Sequence, residues 1–245
     1  MSRPALHRGA LTLTLLLSSA CTGSLRYKID DSTIADLPQS AKQNLSRWQS
    51  DRERAQSEKD KAQTELMASR HALEDAQLER LAARLGAQKL LSDLDKEQPR
   101  QQAALLSRLQ AELRVAKLAE DAAEAHVRFC KQRRLISEAQ LTAAATHLQL
   151  AEARVEREQA RLAARYGRLP AQQRRIATFD EQVAQAEAED NRRREEIFPH
   201  VALSSTIEQE YNQKLNLYTQ ARLQTPSFTP FTMPLSSSQP LPVAD

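Results

Sequence analysis

Cysteine and histidine are the residue types in this chain whose side chains could perform nucleophilic or metal chemistry. The sequence holds two cysteines and five histidines, and none of them forms a Cys-x-x-Cys or His-x-x-x-His pair at metal-site spacing. The acidic pair Glu187/Asp190 has the spacing of a helix surface, where water keeps carboxylates in their ordinary state. We therefore expect no enzyme, no metal and no cofactor, and we expect Glu187 and Asp190 to be exposed.

Cys21 is the exception, because its position in the chain gives it a specific role. Arg3 and Arg8 precede a run of 12 apolar or small residues, 9–20, that ends directly before the cysteine. A basic start, a short apolar run and a small-residue site are typical of a bacterial secretory signal peptide. The run is too short to span a bilayer, which takes about 20 residues. We predict that residues 1–20 are a signal peptide and that the mature chain leaves the cytoplasm.

The residues before Cys21, Leu-Ser-Ser-Ala, resemble the lipobox of bacterial lipoproteins, although Ser18 stands where the family prefers leucine. The resemblance implies that Cys21 becomes the lipid-modified first residue and anchors the protein to a membrane. Thr22 follows, rather than the Asp associated with inner-membrane retention, which by analogy favours an outer-membrane lipoprotein facing the periplasm. Ser18-x-Ala20 also suits ordinary signal peptidase cleavage, which would leave a secreted or periplasmic protein.

The composition excludes several classes of protein. Removing Arg3 and Arg8 from the 35 basic residues leaves 33, against 32 acidic residues, and no basic cluster is separated from acids. Nucleic acid is therefore not expected as a partner. Four glycines are too few for glycine-rich phosphate loops and for most β architectures. Aromatic residues at 4% are typical of a chain dominated by long helices.

A seven-residue pattern predicts two long coiled-coil helices, over residues 38–98 and 99–166. In both, large residues occupy the a positions and small residues the d positions. The main members in the first helix are Leu45, Leu66 and Leu73 at a, with Ala55, Ala62, Ala76 and Ala83 at d. Those in the second helix are Leu113, Val127, Leu148 and Val155 at a, with Ala116, Ala123, Cys130 and Ala151 at d. We interpret Cys130 as a small core residue, with an intermolecular disulfide as the alternative.

The heptad frame slips at Pro99, which predicts a turn. Proline suits the first turn of a new helix and not the interior of an old one. An antiparallel hairpin turning at 97–99 lets large residues face small ones if the numbers of facing residues add up to 196. In that register Leu66 faces Cys130, and His126 and His147 fall at g positions that flank the seam.

The second helix carries a further apolar stripe at its c and f positions and therefore needs a second packing partner. Residues 170–223 could supply it as a broken third helix. We expect Phe198-Pro199 to interrupt this helix and a capping box at Ser205–Glu208 to restart it. A second subunit of a homo-oligomer could cover the same stripe.

Two segments lack a helical period. Residues 21–37 form the predicted lipidated N-terminus and tether, and residues 224–245 form a predicted disordered, Pro-rich tail. The tail is either an inert end or a docking peptide. In the second case Phe228, Phe231 and Met233 are its apolar contacts with a partner.

The predicted fold class is all-α: a long antiparallel coiled-coil hairpin with a third, broken helical segment packing back, and a Pro-rich tail. With the lipobox, these features resemble coiled-coil envelope lipoproteins in general. The resemblance implies a non-enzymatic, lipid-anchored spacer or scaffold in the bacterial cell envelope. The alternative is a hairpin module that docks on and regulates an envelope machine, such as an exporter or a peptidoglycan enzyme, through its tip at 85–113 and its tail. Either reading expects an envelope protein as partner.

Overall fold

A computed structural model describes residues 28–98, 102–169 and 176–229, and within these ranges the protein is all-α, as predicted. Two short elements come first, helix α1 and a single turn of 3-10 helix, and four long helices follow. The helices are α1 (Ser32–Ala35), α2 (Gln43–Glu97), α3 (Ala103–Arg165), α4 (Ile176–Glu195) and α5 (Ile197–Gln224), with the 3-10 turn at Gln39–Lys42.

Helices α2 and α3 form the predicted antiparallel hairpin, and heptad spacing explains which of their residues are buried. The buried residues of α2 are Leu45, Ala55, Ala62, Leu66, Leu73, Ala76, Ala83, Gly86 and Ala87. All except Gly86 occupy predicted a or d positions. At 1.5 Å per residue, the 55 residues of α2 extend the hairpin over about 80 Å.

The pairing of α2 with α3 differs from the predicted register by one heptad. Leu73 packs in one cluster with Cys130, so their numbers add up to 203 rather than 196. A shift of seven residues moves every a position onto another a position, and the large-to-small pattern is therefore equally satisfied in both registers. The turn decides between them: α3 begins only at Ala103, four residues later than predicted.

This register can be tested with a single new cysteine. Leu73→Cys should form a disulfide with the native Cys130 within one chain on mild oxidation, in a Cys21→Ser background. Leu66→Cys is the matched control, because it lies one heptad, about 10 Å, away from that layer. The disulfide would be measured as protection of two thiols from alkylation in denaturant. If the disulfide formed in the Leu66→Cys protein and not in the Leu73→Cys protein, the predicted register of 196 would be correct.

Helices α4 and α5 run back along α3 and cover its second apolar stripe. Val183 packs with Leu150 and Ala153, and Phe179 packs with Ala160. The third helical segment therefore packs on the hairpin of its own chain. This resolves the alternative that a second subunit covers the stripe.

The break between α4 and α5 lies at Glu196, two residues before the predicted interruption. Pro199 stands in the first turn of α5, where its missing N–H costs no helical hydrogen bond. The predicted capping box is wrong: Ser205 lies inside α5, and its hydroxyl donates to the carbonyl oxygen of Ala202 at 3.2 Å. A serine in mid-helix can bond back to the preceding turn in this way instead of capping.

Candidate functional site

The predicted site residues lie in different places. Cys21, Phe231 and Met233 are outside the described residues. Phe228 is buried in a cluster with Ala87 of α2 and with residues of α3. In this structure, therefore, Phe228 contacts its own chain, and Phe231 and Met233 stay predicted partner contacts.

Residues 28–37, assigned above to a tether, are packed on the bundle. We call the end of the bundle that receives them the base. The cluster formed there contains Ile34, Leu37, Leu45, Val155, Leu162 and Ala163. A neighbouring cluster joins Ile29 to Ala160 and Phe179. The N-terminal segment thus contributes to the same core as α2, α3 and α4.

Two side chains of α3 also hold this segment by hydrogen bonds. The backbone N–H of Ile29 donates to Glu156 Oε2 at 2.6 Å, and Gln159 Nε2 donates to Asp31 Oδ1 at 2.9 Å. Burial raises the pKa of Glu156, although the bond from Ile29 opposes that shift. The chain is therefore fixed to the base from Ile29 onward.

A polar layer crosses the bundle about midway between the base and the hairpin turn. His126 of α3 is buried, and its Nδ1 lies 2.8 Å from Oε2 of Glu79 on α2. On its other side the imidazole stacks on the ring of Tyr211 of α5, with 4.8 Å between ring centroids. Phe129, one turn along α3, stacks on the same tyrosine at 5.6 Å. His126 thus joins all three helices at one level.

The surroundings of His126 favour its charged form. Burial alone lowers the pKa of His126, but hydrogen bonds to Cys130 and to Glu79, together with the charges of these groups, raise it to about 9. The Glu79 carboxylate therefore faces an imidazolium at neutral pH. The two form a buried ion pair, which is strongly destabilised when one partner is lost.

A second polar layer lies nearer the base. His147 of α3 is 3.8 Å from Glu58 of α2 through Nε2, and 3.5 Å from Asp190 of α4 through Nδ1. Asp190 also accepts a hydrogen bond from Nε of Arg194 at 2.9 Å and one from Thr146 at 3.5 Å. Asp190 is only 4% exposed, so the expectation that it lies on the surface is wrong.

The two layers repeat the same residue types at an interval of three heptads, although the 3.8 Å approach of His147 to Glu58 is longer than the 2.8 Å hydrogen bond of the first layer. His126 and His147 are 21 residues apart, and so are their partners Glu58 and Glu79 on the antiparallel helix. In each layer a histidine of α3 links a glutamate of α2 to the third helical segment. Sliding of the third segment along the hairpin would separate the buried Asp190 from His147 and Thr146, which is unfavourable. The Glu79–His126 pair lies within the hairpin and opposes sliding of α2 against α3.

Cys130 lies one turn after His126, and a cysteine beside a histidine is an arrangement used by nucleophilic enzymes. Here the thiol is buried in a cluster with Leu73 and Ala76. A substrate would reach Cys130 Sγ only if the seam between α2 and α3 opened. The structure therefore uses Cys130 as a core residue, consistent with its predicted d position.

Three further features of the described ranges bear on a possible site. No group of three metal-ligating side chains lies close together in the described residues. A surface depression of about 270 Å³ between Arg52, Glu53 and Glu152 has charged walls. Within the same ranges, none of the helices has both the length and the apolar character needed to cross a membrane.

Comparisons with known proteins do not identify the chain: it matches no protein family model, no curated protein and no solved structure.

Proposed function

We propose that this protein is a non-enzymatic, lipid-anchored spacer or scaffold of the bacterial cell envelope, held by acylated Cys21 in the outer membrane and projecting into the periplasm. The observation that best supports the proposal is the packing of residues 28–37 on the base of a long, narrow bundle. With this packing, an anchor at Cys21 would be tied to one defined end of the bundle.

Chain length gives the reach of such an anchor. Ile29 lies eight positions after Cys21, so an extended chain spans at most about 28 Å between them. The far end of the hairpin lies about 80 Å from the start of α2. Lipid at Cys21 would therefore keep the base near the membrane and leave the hairpin turn free to extend away from it. Such a separation is what a spacer between a membrane and a distant partner requires.

The proposal predicts the behaviour of Cys21→Ala in cell fractionation. The wild-type protein should sediment with membranes and resist extraction by salt, because two or more acyl chains at about 0.8 kcal/mol per methylene anchor a protein stably. Cys21→Ala should move to the soluble fraction or be retained as an unprocessed precursor. Cys130→Ala is the control and should fractionate like wild type. A soluble wild-type protein with an unmodified N-terminal Cys21 would contradict the proposal.

The second candidate function is a hairpin module that docks on an envelope machine. One observation favours it: α5 ends at Gln224 and Phe228 packs at the level of Ala87, so the last turns of the hairpin extend past the third segment. Leu91 in that part of α2 is about half exposed. A photo-crosslinking residue at position 91 should then capture a specific envelope protein in cells, and one at Asp51 near the base should not. Equal labelling at both positions would favour the spacer.

A further inference from the structure

The outer face of α2 carries an apolar stripe that no helix of the bundle covers. Leu78, Leu81 and Leu85 are 65%, 54% and 55% exposed, and their spacing of three and four residues puts them on one side of the helix. We call these three residues the outer stripe. Large leucines at this exposure on one face are typical of a contact surface.

The position of the outer stripe follows from the heptads. The a and d positions of α2 face α3, and the g positions Glu58 and Glu79 face the layers shared with the third segment. The outer stripe occupies b and f positions, on the remaining side. At b and f before and after the stripe stand His71, Glu74, Gln88 and Ser92. The apolar surface is therefore confined to two turns.

On one side of the outer stripe, at the c positions, the charges favour an antiparallel partner. The c positions run Asp75, Ala82 and Lys89, an acid, a small residue and a base at intervals of seven. If a second α2 packed antiparallel with its Ala82 opposite Ala82 of the first, Asp75 of each copy would lie opposite Lys89 of the other. It would also place Leu78 opposite Leu85 of the second copy. A parallel pair would instead put like charges together, which is unfavourable.

We infer that the outer stripe is the interface of a homodimer in which two copies of α2 pack antiparallel across a two-fold axis at Ala82. The patch is self-complementary, as such an axis requires, and the alanine at its centre allows the two helices to approach closely. This inference depends on α2 alone and not on the lipid anchor proposed above.

The size of the outer stripe determines how strongly the two copies should associate. Three half-exposed leucines would bury on the order of 100 Å² each, which with the flanking charges is less than the usual area of about 800 Å² per partner. We therefore expect a weak, reversible dimer. Antiparallel pairing puts the two bases at opposite ends of the dimer. Upright copies on one membrane are parallel, so two neighbours anchored in the outer membrane as proposed above would not form this dimer. The pairing requires at least one copy that is not anchored there.

A cysteine at the proposed axis tests the geometry. In purified Cys21→Ser protein, Ala82→Cys should form a disulfide between copies on mild oxidation, because position 82 faces itself. Ala68→Cys, also at a c position of α2, is the matched control: in the antiparallel pair two such residues are about 40 Å apart. Crosslinking of both variants would indicate a parallel pair, and crosslinking of neither would indicate no pairing through this face. Either result would overturn the inference.

A charge exchange tests the orientation in solution. Sedimentation equilibrium of the Cys21→Ser protein at low salt should show a monomer–dimer equilibrium. Asp75→Lys and Lys89→Asp should each weaken it about fivefold or more, and the double variant should restore it to within about twofold. Leu81→Glu should leave only monomer with unchanged helicity, since the side chain is exposed. A wild-type protein that stays monomeric at 200 µM, or a double variant no better than the single ones, would contradict the dimer.

Discussion

Phe179→Ala should lower the free energy of unfolding by about 3–5 kcal/mol, the usual cost of removing a fully buried phenylalanine. Phe179 is 0% exposed and is the largest fully buried side chain among the described residues. It packs with Ile29 and with Ala160, a residue too small to fill the space left behind. The loss would be measured by urea unfolding followed by circular dichroism.

Phe198→Ala is the matched control for this prediction. Phe198 lies in the same third helical segment but is 69% exposed, so its removal should change stability by less than about 0.5 kcal/mol. A second readout is local: the Phe179 variant should exchange the amide hydrogens of residues 29–37 faster, because Ile29 loses its packing partner. Equal effects of the two substitutions would show that the base is not packed as described.

The same cluster bears on the proposed anchor. If residues 29–37 are held to the base, the distance from Cys21 to the bundle is fixed by eight residues; if they detach, the tether doubles in length. The Phe179 variant should therefore stay on membranes and become more accessible to a protease near the membrane. Loss of membrane association would instead indicate that the anchor is the packing itself and not a lipid on Cys21.

The seven-residue repeat of apolar side chains was sufficient to predict the two long helices and the faces that they bury. Leu45, Ala55, Leu73 and Cys130 all lie in the seam, as their a and d positions require. The register could not be predicted in the same way, because a heptad repeat is unchanged by a shift of seven residues. Only the length of the turn separates the registers, and a single proline does not define that length.

The polar layers were not predictable from heptad position alone. His126 and His147 at g positions flank a two-helix seam, where solvent reaches them. The third segment covers that side, which buries His126 and leaves the side chain of His147 30% exposed. Asp190 was missed for the same reason. One signal was present in the sequence. Glu58 and Glu79 are 21 residues apart, as are His126 and His147, so an antiparallel register in which the numbers of facing residues add up to about 205 pairs both histidines with glutamates.

The stability of the protein should fall as the pH rises from about 6.5 to about 9. The pKa of His126 is raised to about 9 in the folded protein, above its ordinary value of 6.5 when unfolded. A raised histidine pKa means that the folded state binds the proton more tightly. The contribution of His126 to the free energy of unfolding is therefore complete below pH 6.5 and is lost as the pH rises through 9. At about 1.4 kcal/mol per pKa unit, the upper bound of the loss is about 3 kcal/mol.

Three groups face this imidazole, and the experiment has to separate them. Glu79 forms the ion pair itself, and burial raises the pKa of Tyr211 from its ordinary value, away from the range of the titration. The part played by Cys130 is measured by repeating the titration in a Cys130→Ala protein, in which the decline should be smaller because one cause of the raised pKa of His126 is removed. His126→Gln should remove the decline between pH 6.5 and 9, whereas His71→Gln should not, because His71 is exposed and pairs only with Glu74 of its own helix. Urea unfolding at half-unit pH steps gives the slopes. A wild-type slope that survives in His126→Gln would mean that the Glu79–His126 pair is not the source of the pH dependence.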